Sequence, residues 1–73
     1  MGRLCILSGQ HVCRILEKHG FIEVRRRGSH IVMQGRAEGI SRTVPVPDHT
    51  ELKRGTLLAI IRQSGVPRTE FES

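Results

Sequence analysis

At 73 residues the chain has room for one small domain, which excludes a large internal pocket and confines any site to a surface or a shallow groove. Twelve Lys and Arg against seven Asp and Glu leave a net charge of +5, and two cysteines without a CxxC pair exclude a disulfide scaffold and a Cys-rich zinc site. No segment approaches the roughly 20 apolar residues that span a bilayer, and none has the form of a signal peptide, so a cytoplasmic location is expected.

Ser8 is a good N-cap, and the periodic segment behind it predicts a helix over Gly9–His19. Val12, Ile15, Leu16 and His19 fall on one stripe, Arg14, Glu17 and Lys18 take the outer face, and Gly20 stands where a left-handed C-cap belongs. Phe21–Arg27 reads as a strand that begins apolar and ends in three arginines. Gly28-Ser29 makes a tight turn, His30–Gln34 is a second strand, and Gly35–Gly39 reads as a hairpin loop. In a third strand, Ile40–Val46, the residues Ile40, Arg42, Val44 and Val46 share one face. Pro45 and Pro47 remove ladder donors and mark it as an edge strand or a strand end.

Asp48–Glu51 is a polar connection to a second helix, Lys53–Ser64, whose inner stripe is Leu57, Ile60, Ile61 and Ser64. Gly65 is its expected C-cap, and Pro67 opens a short final turn that tucks Phe71 onto the core. The predicted architecture is α+β, one domain over 1–73 in the order αβββα, with a three-stranded antiparallel sheet and two helices on one of its faces. That arrangement resembles the double-stranded RNA-binding fold.

Ten of the twelve cations are Arg, whose planar fork of donors fits phosphate oxygens better than the point charge of Lys. A strongly basic domain carries the electrostatic footprint of a nucleic-acid binder, although the same surface would match an acidic protein. With no Trp or Tyr and only Phe21 and Phe71, a platform of aromatics for stacking bases is excluded, which leaves a duplex, or a mode that grips the backbone without stacking.

The stretch Arg25-Arg26-Arg27-Gly28-Ser29-His30 carries the most chemistry. Consecutive strand residues alternate faces, so at most two of the three arginines point the same way, Arg25 and Arg27 being the pair that can reach phosphates together. Gly28 permits a close backbone approach or a positive φ, and Ser29 offers a hydroxyl to an imidazole or a phosphate. His30 is displayed at the start of the second strand. Breaking an RNA strand requires a base for the 2′-OH proton and an acid for the leaving 5′ oxygen, and imidazole does either near neutral pH. Packing or turn-capping are the competing roles for that histidine. His49, in the connection before the second helix, is the candidate second acid/base group. The other two are placed elsewhere, His19 on the apolar stripe and His11 in the first turn. The four lack any tight ligand spacing, so no metal or other cofactor is expected. Lys53 and Arg54 stand at the N-terminus of the second helix, where free N–H groups already favour an anion.

These residues together resemble the HicA family, also called YcfA-like, the mRNA-interferase toxins of bacterial HicAB toxin–antitoxin modules. The resemblance runs through Ser8-Gly9, Leu16-Glu17-Lys18-His19-Gly20-Phe21, Arg27-Gly28-Ser29-His30, Thr43-Val44-Pro45-Val46, Leu52-Lys53-Arg54-Gly55-Thr56-Leu57 and Ile60-Ile61-Arg62-Gln63-Ser64-Gly65. It implies the double-stranded RNA-binding fold, cleavage of mRNA, a catalytic histidine at His30 with Gly28 as the motif glycine, and a HicB-type antitoxin as partner. Arg25, Arg26, Arg27, Lys53 and Arg54 are the expected RNA contacts. The alternatives are a non-catalytic RNA-binding module of the same fold, and a protein-interaction domain whose basic face docks an acidic partner.

Overall fold

Ser8 caps the first helix in the computed structural model, which describes residues 2–37 and 39–72. Its side chain accepts a hydrogen bond from the His11 N–H at 3.1 Å, satisfying one of the donors that a helix start leaves free. Helix α1 (Gly9–Lys18) buries Val12, Ile15 and Leu16. By sequence a half-buried His19 closes the helical stripe, and the structure puts it just past the stripe as the C-cap of α1. The helix ends at Lys18, so His19 leaves the periodic pattern and lies exposed, with Nε2 3.3 Å from Glu70 Oε1.

Strands β1 (Ile22–Arg27), β2 (His30–Ala37) and β3 (Ile40–Pro47) form an antiparallel meander in the order β1-β2-β3. β2 is longer than its sequence indicates: it continues through Gly35, which reads locally as a loop residue, and its last residue, Ala37, pairs with Ile40. Tertiary packing overrides the propensity here. The Phe21 ring, just ahead of β1, lies over Gly35 so closely that a Cβ there would come within 2.7 Å of Phe21 Cγ. β3 is an edge strand, which accommodates Pro45 and Pro47 opposite Val32 and His30.

β1 contains a bulge. Glu23 pairs with Met33 and Arg25 with Val32, so Val24 is an extra residue without a partner. Helix α2 (Arg54–Ser64) buries Leu57, Ile60 and Ser64, and Gly65 closes it with φ 73°. The Ser64 hydroxyl donates to the Ile61 carbonyl and accepts from the Val66 N–H, which explains a buried polar residue at the end of an apolar stripe. A short 3₁₀ turn (Arg68–Phe71) follows Pro67, burying Phe71, and the Cys5 N–H donates to the Phe71 carbonyl.

One core joins these elements. Val12 and Leu16 of α1, Leu57 and Ile60 of α2, and Phe21 pack with Ile31, Met33, Val44 and Val46, which alternate along one face of the sheet. Both helices therefore lie on that face, and the opposite face is left open. This is an α+β fold of the double-stranded RNA-binding type. Among the described residues, no helix is long and apolar enough to cross a membrane.

Gly35→Ala is expected to destabilise the protein by about 1–3 kcal/mol, because the added methyl meets the Phe21 ring in a packed core. Thermal unfolding measures this. An unchanged melting temperature would show that the ring moves aside without cost.

Candidate functional site

The candidate residues sit where β1 turns into β2. Arg27 and His30 pair across the strands, and Gly28, between them, takes φ 57°. Paired residues of an antiparallel sheet project to the same side. His30, Val32, Gln34 and Arg36 alternate with the core residues Ile31, Met33 and Gly35, so they lie on the open face. His30 is flanked there by Arg27 on β1 and Pro47 on β3, and the next row is Arg25, Val32, Pro45. Val32 is only 8% exposed although it faces away from the helices. Arg25, Arg27 and His30 are exposed, and among the described residues none of their side chains pairs with a carboxylate.

The bulge at Val24 produces this grouping. Ile22 shares the open face with Gln34, so uninterrupted alternation would put Arg26 there and turn Arg25 and Arg27 toward the helices. The extra residue reverses the phase. Arg26 pairs with Ile31 on the helix side, where its Nη1 is 2.7 Å from Asp48 Oδ2 and its Nη2 3.9 Å from Glu23 Oε1. Of the three arginines, the middle one is thus engaged in an ion pair. Cys13 of α1 lies beside this cluster. Burial, and then the carboxylates of Glu23 and Glu17, push its thiol up to about 11, with Arg26 pulling the other way.

Asp48 is a junction that sequence reasoning passed over as part of a polar connection. Its N–H donates to the Ser29 carbonyl at 2.6 Å while its carboxylate holds Arg26. The far side of the same segment is held by α1 and the residues before it. The Gly9 N–H donates to the His49 carbonyl at 2.9 Å, the Leu52 N–H to the Leu7 carbonyl at 2.8 Å, and any side chain at Gly9 would overlap the Pro47 carbonyl. The exposed His49 stands two residues beyond Pro47, the partner of His30, and lines a small hollow with Ser8, Gln10, Asp48 and Thr50.

The remaining candidates lie elsewhere on the surface. Lys53 is the N-cap of α2 and makes no side-chain cap hydrogen bond. Arg54, the first helical residue, lines a second hollow with Leu4, Cys5, Ile6, Leu52 and Leu57. No hydrogen bond or ion pair among the described residues joins either to His30. Arg36 was missed as a functional candidate, because the loop assigned to Gly35–Gly39 hid its place on β2. No three His, Cys, Asp or Glu among the described residues gather in a way that would hold a metal ion.

A family model described as the HicA toxin of bacterial toxin–antitoxin matches residues 9–66, from the start of α1 to just past α2. A search of the curated proteins finds no match.

Single and double substitution of Arg26→Ala and Asp48→Asn are expected to give a coupling of about 0.5–1 kcal/mol in thermal or urea unfolding, the range of a part-exposed ion pair. Additive effects would show that the pair is geometry without energy.

Proposed function

The chain belongs to the HicA toxin family, and from that premise we propose that it is the toxin of a type II toxin–antitoxin system and a metal-independent endoribonuclease, an mRNA interferase with His30 as its catalytic residue. The observation that carries the reading is the pairing of Arg27 with His30 on an open face that also presents Arg25. A proton-transfer group and two cations that alternation alone would have turned inward stand together on solvent-accessible surface.

The chemistry needs no cofactor. His30 takes the proton of a ribose 2′-OH, O2′ attacks the adjacent phosphorus, and the bond from phosphorus to the 5′ oxygen breaks as that oxygen gains a proton. The products are a 2′,3′-cyclic phosphate and a 5′-hydroxyl, so atoms and charge balance without an external nucleophile. Arg25 and Arg27 stabilise the extra negative charge on the pentavalent phosphorus, acting where charge develops. Ser29 and Gly28 shape the turn that presents the imidazole, and Gly28 meets the demand for positive φ. The second proton transfer falls to His49, to Ser29 or to solvent. Lys53 and Arg54 add cationic charge at the N-terminus of α2, where a phosphate is favoured by the helix dipole.

The proposed target is cytoplasmic mRNA, and the proposed protein partner is a HicB-type antitoxin, which would silence the enzyme by covering His30. An acidic surface on that partner would complement the net charge of +5.

Incubation of the wild-type chain and His30→Ala with total RNA in EDTA tests the reading. Wild type is expected to cleave and to leave 2′,3′-cyclic phosphate ends, and the variant to be slower by at least about 10²-fold while keeping its circular dichroism spectrum. Products ending in a 3′-hydroxyl, or loss of activity in EDTA, would contradict the mechanism. RNA binding by both proteins with cleavage by neither would make the chain a binding module.

A further inference from the structure

The open face of the sheet carries more than the His30 row. Running along β2 from His30, it presents Val32, Gln34 and Arg36, flanked by Arg27, Arg25 and Ile22 on β1 and by Pro47, Pro45, Thr43 and Ser41 on β3. Three of these residues are charged, all of them Arg, and no Asp or Glu occupies a position on this face among the described residues. The carboxylates of the described residues lie elsewhere. Glu23 and Asp48 hold Arg26 on the helix side, Glu70 meets His19, and Glu72 meets Arg68. In a chain with seven acidic residues, a face with three cations and no acid among its described positions is a concentrated field for a polyanion.

Its layout fits one strand rather than two. From His30 to Arg36 is six residues of extended chain, about 20 Å at the usual rise of a strand. The arginines follow the direction of β1 and β2, in a line that starts at His30. A duplex is gripped differently, by cations that reach phosphates on both sides of a groove. Between the arginines the floor is small and mixed. Val32, Pro45, Pro47 and Ile22 give it apolar patches, and Gln34, whose Nε2 donates to Ser41 Oγ at 3.2 Å, gives it a polar one. Such a floor suits riboses and the edges of bases without stacking them. The reaction also favours a single strand, since a flexible backbone lets O2′ swing into line with the departing 5′ oxygen, which a regular helix resists.

We infer that the open face of the sheet is a track for single-stranded RNA, on which Arg25 and Arg36 hold successive phosphates on one side of the one placed at Arg27 and His30. This rests on the RNA-cleavage reading for the position of the scissile phosphate. Arg36 is the distinctive element, because it stands at the far end of the track from the reacting atoms and nothing in the chemistry requires it. The grip is to backbone, so binding tolerates many sequences, and affinity rises with strand length until Arg36 is reached.

The test compares a trinucleotide with a single-stranded RNA of roughly ten nucleotides, using wild type, Arg36→Ala and Arg36→Lys. Affinity is read by fluorescence anisotropy in the His30→Ala background, and kcat and KM in the active one. Arg36→Ala is expected to weaken binding of the longer RNA by about three- to tenfold and to lower the salt dependence by about one phosphate contact, with the trinucleotide unaffected. In the active protein KM for the longer RNA rises by the same factor while kcat holds, and Arg36→Lys recovers most of the loss. Equal binding of the longer RNA by wild type and Arg36→Ala would overturn the track. So would equal weakening of both RNAs, or a face that binds an acidic protein and no RNA at low salt. Absence of cleavage by wild type, with the length-dependent effect of Arg36 intact, would refute the nuclease reading and leave the track standing.

Discussion

The register of β1 against β2 decides what this surface can do. A strand has a side-chain period of two, so one inserted residue moves everything beyond it to the other side of the sheet. Val24 is that residue. Before it, Ile22 faces out and Glu23 faces the helices; after it, Arg25 and Arg27 face out and Arg26 faces the helices. With no bulge the open face would present one arginine beside His30 instead of two, and two guanidiniums would be driven toward the apolar layer under α1. The bulge therefore solves a packing problem and, on the proposed reading, assembles the site as well.

The helix side of the sheet holds this register in place. Arg26, turned inward, meets Asp48, and Asp48 in turn binds the carbonyl of Ser29 in the turn that leads into His30. The start of α1 closes over the same segment from the other direction, so close to Pro47 that only glycine fits at position 9. His30 lies between two strands, one fixed by the bulge and the other by this junction. A small domain has little core with which to hold a site rigid. Here rigidity comes from backbone pairing and short polar ties instead, and that is consistent with a site made of surface side chains.

Local signals were strong enough to reveal most of the architecture. Ser8 as a cap, the apolar spacing of Val12, Ile15 and Leu16, and Leu57 with Ile60 before Gly65 are all features whose physics is contained within a few residues of chain. Pro45 and Pro47 likewise marked β3 as an edge strand or a strand end, since proline has no donor to give a second neighbour. What stayed hidden depends on residues far apart in sequence. Gly35 looks like a turn until Phe21 is seen to lie on it. Arg36 was invisible for that reason. Strict alternation showed that Arg25 and Arg27 share a face, but not which face, because a bulge has no local signature in Glu23-Val24-Arg25. The role of Asp48 required knowing that it meets Arg26, 22 residues away.

On the proposed reading, the open face of the sheet carries function and the helix side carries structure. The most direct test is a chemical-shift titration of the isotope-labelled chain with a single-stranded oligonucleotide whose 2′-hydroxyl is removed at the cleavage point, so that it binds without reacting. Backbone shifts are expected to move most at Arg25, Arg27, His30, Val32, Gln34 and Arg36, on β1 and β2, while α1 beyond its first turn stays still. Shifts confined to α1 and the helix side, with the residues around His30 unmoved, would contradict it.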